Sequence, residues 1–596
     1  MAARLETEPG SSRALGSGTG WVLALVALGA LTAALVSDPG DFLGDDGGIT
    51  LRYAKRLAEG AGLSYSGAER VNGASSPLWT LWLAGGLAAG VDAARWVIAS
   101  GALGWSLAGF FVGCLGARAG GLSIGLLGMA WFYTRPTLQL ACFTGLESAM
   151  TMTLAGGTLL AIDRGSQRGS ALGLGAIVAG KLDGALLAIA YASALLLRER
   201  RFPLRVALGA MLVAAPVLAT LTWWFGSPIP HSATTKVLLH TRPEGFDRTW
   251  MLDRLLTNDP VSLIGALLLG GTLLASRRAS QTESTLLGWM GLHLAVYAAV
   301  DLGAPFPWYA VAPGYAAVIA TTLLSARLTE FSPRLRRIRP ALATALGALI
   351  LVLAGPRLAR QLDPMPLDGG LSRTETENLA RLLSGAWLSE RAAPGECLVS
   401  MFGLAAYAFE GPVYDISELN SKGDPQRVIT SSYFLAREDM VPGGGYPGLE
   451  TLGRFQAASE GISYELFARP ESRALREGFG YSLLPLAPEP CPEHRSAHQL
   501  NGHTLEIPPS GCFLQSVPNA SFSLRYRLGE EPAEMENDAS ETGPGARIHL
   551  VHEGNQLLRI DRARLQRGQA PTVQELPLQH ARWSARTKFL AEFGYP

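Results

Sequence analysis

Two adjacent acids, Asp45 and Asp46, stand a few residues beyond the first apolar run, which ends near Val36. A carboxylate pair facing lipid is costly, so the pair belongs just outside a membrane. Acids at the head of a helix either cap it, because its N-terminus favours negative charge, or act as a general base. Four other stretches pair charge with turn residues beside apolar runs. Thr144-Gly145-Leu146-Glu147 ends on an acid that either opens the next helix or enters a site. Lys181-Leu182-Asp183-Gly184 sets an ionisable pair between two short apolar runs, as a structural ion pair or as part of a site. Trp223 to Ser232 carries aromatics, prolines and His231, with Lys236 beyond. The aromatics suit an interfacial belt, while His231 and Lys236 suit either a phosphate or a solvated loop. Asp301 to Tyr309, DLGAPFPWY, is a further polar and aromatic turn.

The elements that hold these residues follow from the apolar pattern. The chain has 596 residues, 48% hydrophobic and 17% charged, with no net charge. Its apolar residues cluster between 21 and about 356 in runs long enough for a hydrocarbon core of roughly 30 Å. The expected spans are 21–36, 95–115, 121–137, 148–162, 170–180, 183–197, 204–225, 259–276, 285–300, 309–326 and 341–356. The apolar stretch Pro77–Gly90 is short, and the charges decide how to read it. If it lies at the interface, Arg118, the Arg164/Arg168 pair, the Arg198–Arg205 cluster, the Arg277/Arg278 pair and the Arg327–Arg339 cluster all fall on the cytoplasmic side. That parity gives about eleven spans. It puts the acid pair, the 138–147 turn, the 226–258 loop, the 301–308 turn and everything after 357 on the opposite face.

Residues 1–20 read as a cytoplasmic tail, and the first apolar run as an uncleaved anchor. After Asp45, Ile49, Tyr53 and Leu57 share one helical face, with Arg52, Lys55, Arg56 and Glu59 on the others. Gly60 and Gly62 end that helix, and Ser66-Gly67 makes a turn. Residues 357–596 read as a soluble domain. Its first part is an α/β unit with a helix near 374–392 and strands near 396–400 and 413–415; a β-rich lobe follows, a sandwich being one form of it. The segment 528–546 reads as a flexible acidic loop. Cys114 and Cys142 read as packing residues. Cys397, Cys491 and Cys512 lie in the soluble part, where Cys491 with Cys512 is one possible pairing in an oxidising compartment. No basic cluster with interleaved aromatics points to a nucleic acid.

The stretch from Asp45 to Trp79 resembles the first extracytoplasmic loop of the GT-C integral-membrane glycosyltransferases. It is most similar to the bacterial branch that includes the mycobacterial terminal arabinofuranosyltransferases. The pattern DDA(F/Y)I(S/T)FRYA, GxGL, ERVEG(Y/F)(T/S)xPLW stands here as Asp45 to Ala54, Gly60 to Leu63, Glu69 to Gly73 and Pro77 to Trp79. Departures are Gly47-Gly48, Leu51 for Phe and Asn72 for Glu. The TGLE element at Thr144 resembles the family's (S/T)G(L/M)E. Lys181 to Gly184 stands where RPDG is usual. The segment ending at His231 and Lys236 resembles YxGxxxPNTxxxK. Gly403 to Tyr407 with Val413 to Leu419 is similar to a soluble-domain pattern of the same group.

The resemblance implies a polytopic α-helical GT-C fold and an inverting single displacement. A sugar, arabinofuranose or mannose among the candidates, would pass from a polyprenyl-phosphate donor to a glycan, lipid or protein acceptor outside a bacterial plasma membrane. Asp45 and Asp46 would be catalytic, as base. Arg52, Arg70, His231, Lys236, Lys181, Asp183 and Tyr309 would serve the donor and its phosphate. Glu147 and Tyr53 would shape the site. Some relatives use a divalent cation, Mg or Mn, and Asp45, Asp46 and Glu147 would be its ligands if this chain did. A transporter or flippase of lipid-linked saccharides is the reading from another class. It calls for repeated halves with matching broken spans, and no such repeat is visible.

Overall fold

The computed structural model describes residues 17–36, 44–239 apart from 68, 248–300 apart from 277–278, 306–330, parts of 337–347 and parts of 373–577. The chain forms two compact units. The first comprises 1–37, 74–86 and 94–362; the second comprises 38–73, 87–93 and 363–596. The segment carrying Asp45, which the sequence groups with the helical region, thus belongs to the same unit as the C-terminal region.

The first unit is helical. Its elements are α1 (Ser17–Val36), α3 (Pro77–Ala88), α4 (Ala93–Gly120), α5 (Leu122–Tyr133), α6 (Pro136–Phe143), α7 (Ser148–Asp163), α8 (Gln167–Gly180), α9 (Ala185–Glu199), α10 (Leu204–Phe225), α11 (His231–Leu239), α12 (Trp250–Asn258), α13 (Pro260–Ser276), α14 (Gln281–Ala299) and α15 (Val311–Glu330). The expected run 121–137 is two helices. Pro136 lacks an amide and disfavours helical geometry at the residue before it, and Arg135 is extended there. α8 starts earlier than expected because Ser166 caps it, accepting from the Gly169 amide. α14 starts earlier because Ser280 and Glu283 form a capping box. The expected span 341–356 lies mostly outside the described residues.

Among the described residues three helical stretches, 93–120, 204–225 and 307–329, are long and apolar enough to cross a membrane. Large apolar side chains point outward from the unit: Leu274 is 83% exposed, Trp223 77% and Leu212 75%. Such faces are costly in water and neutral in lipid. Inside, α15 packs against α5, α6, α7, α13 and α14, and its Tyr315, Val318, Ile319 and Ala320 are fully buried. Small residues let the helices close up. A methyl on Gly265 would fall 2.2 Å from the Thr321 hydroxyl, and one on Gly175 would fall 2.5 Å from the Ala210 carbonyl.

The second unit joins α2 (Asp45–Ala58) to the C-terminal elements. These are helices α16 (Arg373–Ser389), α17 (Gly403–Ala408) and α18 (Arg473–Arg476), and strands that begin with β1 (Leu398–Val399), β2 (Val413–Tyr414), β3 (Tyr433–Arg437), β4 (Glu450–Ala457) and β5 (Ile462–Ala468). β1 lies between β2 and β3 and is parallel to both; β3 and β5, and then β5 and β4, are antiparallel. Val399, Tyr414, Phe434, Ala436 and Phe467 form a core on this sheet. Beyond residue 510 the strands Cys512–Ser516, Ala520–Leu524, Gly545–Glu553 and Gln556–Ile560 extend the same sheet. Cys491, with its suggested pairing, lies outside the described residues, while Cys114, Cys142 and Cys397 are free thiols.

Candidate active site

Asp45 and Asp46 open α2, so both carboxylates sit in its first turn. The helix ends as its glycines require. Gly60 and Gly62 both have positive φ, and the Ala61 amide bonds the Arg56 carbonyl. α2 packs on α17, which in turn packs on α16. That contact explains the glycine at 48. A methyl on Gly48 would lie 2.5 Å from the Gly403 carbonyl carbon, and one on Gly403 would lie 2.2 Å from the Asp45 carbonyl oxygen. Only two glycines allow this approach of backbone to backbone.

Asp45 is held by its Oδ1, which accepts a hydrogen bond of 3.1 Å from the Leu404 amide. Its Oδ2 faces Arg381 Nη1 at 3.9 Å, an ion pair longer than a hydrogen bond. Burial pushes the Asp45 carboxyl above its ordinary value, against the pull of Arg381 and the Leu404 and Gly403 amides; Glu377 adds to the rise. The result is a partly exposed carboxylate with one anchored oxygen. Its other oxygen faces the Arg381 guanidinium at 3.9 Å, beyond hydrogen-bond distance.

Two expected site residues on α2 turn out to be structural. Arg52 is 1% exposed, and its guanidinium donates to the carbonyls of Tyr65 (3.1 Å), Phe409 (2.5 Å) and Gly411 (2.7 Å). Burial, with Arg56 nearby, holds it down at about 10, so it stays charged at neutral pH while it ties α2 to the loop after it and to the segment that follows α17. Tyr53 is fully buried; its hydroxyl donates to the Val71 carbonyl at 2.7 Å and accepts from the Gly73 amide at 3.0 Å. It fixes the course of Glu69 to Gly73 and shapes no open site. Arg70, in that segment, is exposed. The soluble-domain motif is structural too. Asp415 is buried and accepts from Ser417 and Asn420 through both backbone and side chain, fixing the turn after β2.

In the helical unit the other motif blocks meet. Gly145 takes φ +81°, which explains the glycine in TGLE, and its carbonyl accepts from the Trp79 indole at 2.8 Å. Glu147 follows as the residue before α7 and is buried. Its Oε1 lies 2.7 Å from Lys181 Nζ, which lies 3.6 Å from Asp183 Oδ2. The Tyr297 hydroxyl donates to that same Asp183 oxygen at 3.1 Å. The Lys181 backbone is extended and Leu182–Gly184 is a 3-10 turn, so the chain breaks here without a proline. Gly184 is needed in the break, because a methyl there would fall 2.4 Å from the Ile177 carbonyl oxygen.

Above this triad, the Lys181 ammonium lies 5.9 Å from the Tyr309 ring centre. Lys236 donates to the Tyr309 hydroxyl at 3.2 Å and stands over the Phe306 ring at 5.1 Å. His231 Nε2 lies 3.2 Å from the Thr235 hydroxyl, on the same helix as Lys236. Six expected residues, Glu147, Lys181, Asp183, His231, Lys236 and Tyr309, thus belong to this unit, and five of them form one chain of contacts. Sequence reasoning missed Tyr297 and Arg381. Each joins its site across a long sequence separation, and neither has a local signature.

No family model matches the sequence, nor does any curated protein. Among solved structures the chain is similar to ArnT from Cupriavidus metallidurans bound to undecaprenyl phosphate, with a TM-score of 0.49 and 14% identity over 76% of this chain and 98% of that one. It is similar to the apo oligosaccharyltransferase of Archaeoglobus fulgidus, with a TM-score of 0.46 and 10% identity over 71% of this chain and 70% of that one. It is also similar to arabinofuranosyltransferase AftD from Mycobacteria, with a TM-score of 0.40 and 15% identity over 77% of this chain and 40% of that one.

The residues described do not favour a divalent cation. Among them no group of three or more His, Cys, Asp or Glu is placed to hold a metal ion. Asp45 already has a guanidinium before its open oxygen, and Glu147 already has the Lys181 ammonium.

Proposed function

We propose that the chain is a membrane glycosyltransferase that moves a sugar from a polyprenyl-phosphate carrier to a hydroxyl of a glycan, lipid or protein acceptor. The observation that carries this reading is the state of Asp45. It heads the motif helix, one oxygen is anchored on an amide, and the other stands 3.9 Å from Arg381, beyond hydrogen-bond distance. In the proposed step the acceptor hydroxyl gives its proton to Asp45 Oδ2. The acceptor oxygen bonds to the anomeric carbon as the bond from that carbon to the phosphate oxygen breaks. The leaving electron pair stays on the polyprenyl phosphate, and the configuration inverts.

The leaving phosphate needs cations rather than an acid. Lys236 and His231 are assigned to it. Lys181 and Asp183 hold the floor beneath Tyr309 through Glu147 and Tyr297. Asp46 shares the first turn with Asp45 and adds negative charge beside the base. The active side is assigned to the extracytoplasmic face of a bacterial plasma membrane, following the arginine distribution.

The test is transfer in proteoliposomes supplied with a mixed pool of polyprenyl-phosphate sugars. Wild type should release polyprenyl phosphate and glycosylate an acceptor, and Asp45→Asn should stop both. A wild type inert with every donor, or an Asp45→Asn variant as active as wild type, sinks the proposal and returns the transporter reading to the front.

A further inference from the structure

We propose that Arg381, from the C-terminal region, is a positioning residue for the Asp45 base. The inference rests on the reading of Asp45 given above. It makes the C-terminal region part of the reaction machinery, beyond any part in holding the acceptor.

The geometry is that of a clamped guanidinium. Arg381 lies in α16, and each of its nitrogens is held from its own unit. Nε donates to the Tyr464 hydroxyl of β5 at 2.9 Å, Nη1 to Asn378 Oδ1 at 3.2 Å, and Nη2 to Glu377 Oε2 at 3.0 Å. Its central carbon Cζ lies 4.9 Å from the Phe402 ring centre and 5.2 Å from that of Tyr464, and those two rings pack edge to face. A guanidinium held by two helical neighbours, a strand tyrosine and two rings has little freedom to turn. Its remaining open direction is toward Asp45 Oδ2, 3.9 Å away.

That distance matters. At about 2.8 Å an arginine would take the oxygen as a hydrogen-bond acceptor and make it a poor base. At 3.9 Å the attraction still orients the carboxylate and favours its charge, yet leaves the Oδ2 lone pairs for an incoming hydroxyl. The Leu404 amide fixes the other oxygen, so the carboxylate is held at two points and open at one. The groups facing Asp45 are therefore Arg381 and Glu377 from α16, the Leu404 and Gly403 amides from α17, Tyr464 from β5, and Tyr65 from the loop after α2.

The experiment uses the full chain in proteoliposomes and compares wild type with Arg381→Ala, Arg381→Lys and Tyr464→Phe. Arg381→Ala should lower kcat about 30-fold while the donor KM stays within about twofold. Guanidinium ion at a concentration too low to unfold the protein should restore about tenfold of that loss to Arg381→Ala and nothing to wild type. Arg381→Lys should fall between the two, because an ammonium supplies charge without the planar fork. Tyr464→Phe leaves the guanidinium but loosens it, and should cost about threefold in kcat. An Arg381→Ala variant with wild-type kcat overturns the inference, as does a loss of kcat that guanidinium does not rescue and that tracks a lowered melting temperature. If wild type itself transfers nothing, the reading of Asp45 as base falls, and this inference with it.

Discussion

Two carboxylates of this chain, Asp45 in one unit and Glu147 in the other, each face a cation, and the distance separates their uses. Glu147 meets Lys181 at 2.7 Å and is 6% exposed at its side chain. Asp45 meets Arg381 at 3.9 Å and is 20% exposed. The close pair is neutralised and shared further with Asp183 and Tyr297, which suits a member of a fixed scaffold. The distant pair orients its acid without occupying it, which suits a group that must accept a proton. The proposed division is that the close ion pair serves structure and the carboxylate held at a distance serves chemistry.

The same conservative change at each acid should therefore have opposite effects. Asp45→Asn removes the base and should lower transfer about 10²–10⁴-fold, with no loss of thermal stability, measured by donor turnover and a melting curve in detergent. An equal fall in both readouts would break the contrast, because it would make Asp45 a structural acid.

Arg52→Met should cost about 3–5 kcal/mol of stability, since three carbonyls lose a buried charged donor at once. Chemical denaturation reads it, and a loss under about 1 kcal/mol would mean that water replaces the guanidinium. Glu147→Gln should destabilise by about 2–3 kcal/mol, and adding Lys181→Met should recover part of that loss. If the two losses simply add, the pair is not coupled.

Lys236→Ala should raise the donor KM about tenfold and leave kcat within about threefold, because the assigned role is recognition of the phosphate. A pure kcat effect would move Lys236 from binding to chemistry.

The smallest effect concerns pH. Burial raises the Asp45 carboxyl above 3.8, so its base form is lost as pH falls through that raised value, and the acid limb of kcat should lie above the ordinary aspartate range. The folded state holds this proton more tightly than the unfolded state. Its contribution to stability therefore declines as pH rises from 3.8 to the raised value and is level above it. Asp45→Asn should flatten that part of the stability profile, and an unchanged profile would falsify the assignment of the shift to Asp45.

Much of this was legible in the chain. The helix from Asp45 to Ala58, its glycine stop, the turn at Gly67, the break at Lys181 to Gly184 and the helix near Arg373 all follow from local pattern, because caps, glycines and apolar periodicity act within a turn or two. The acid pair was legible as a motif, as were Glu147, Lys181 and Lys236. Roles were harder to read than places. Arg52 and Tyr53 belong to the motif as surely as Asp45 does, and in an amphipathic helix they look as available. Only packing shows that one is spent on three carbonyls and the other on the Val71–Gly73 backbone.

By itself the sequence determined the apolar helices, the loops with their acids and cations, and the glycines at which the backbone must turn or approach closely, since each depends on residue type and near neighbours. Only the tertiary structure decided which charges are satisfied. Arg381 and Asp45 are separated by hundreds of residues, as are Arg52 and the Phe409 carbonyl, and no local rule pairs them. A charge is defined by what stands within a few ångströms of it, and that is settled only when the chain has folded.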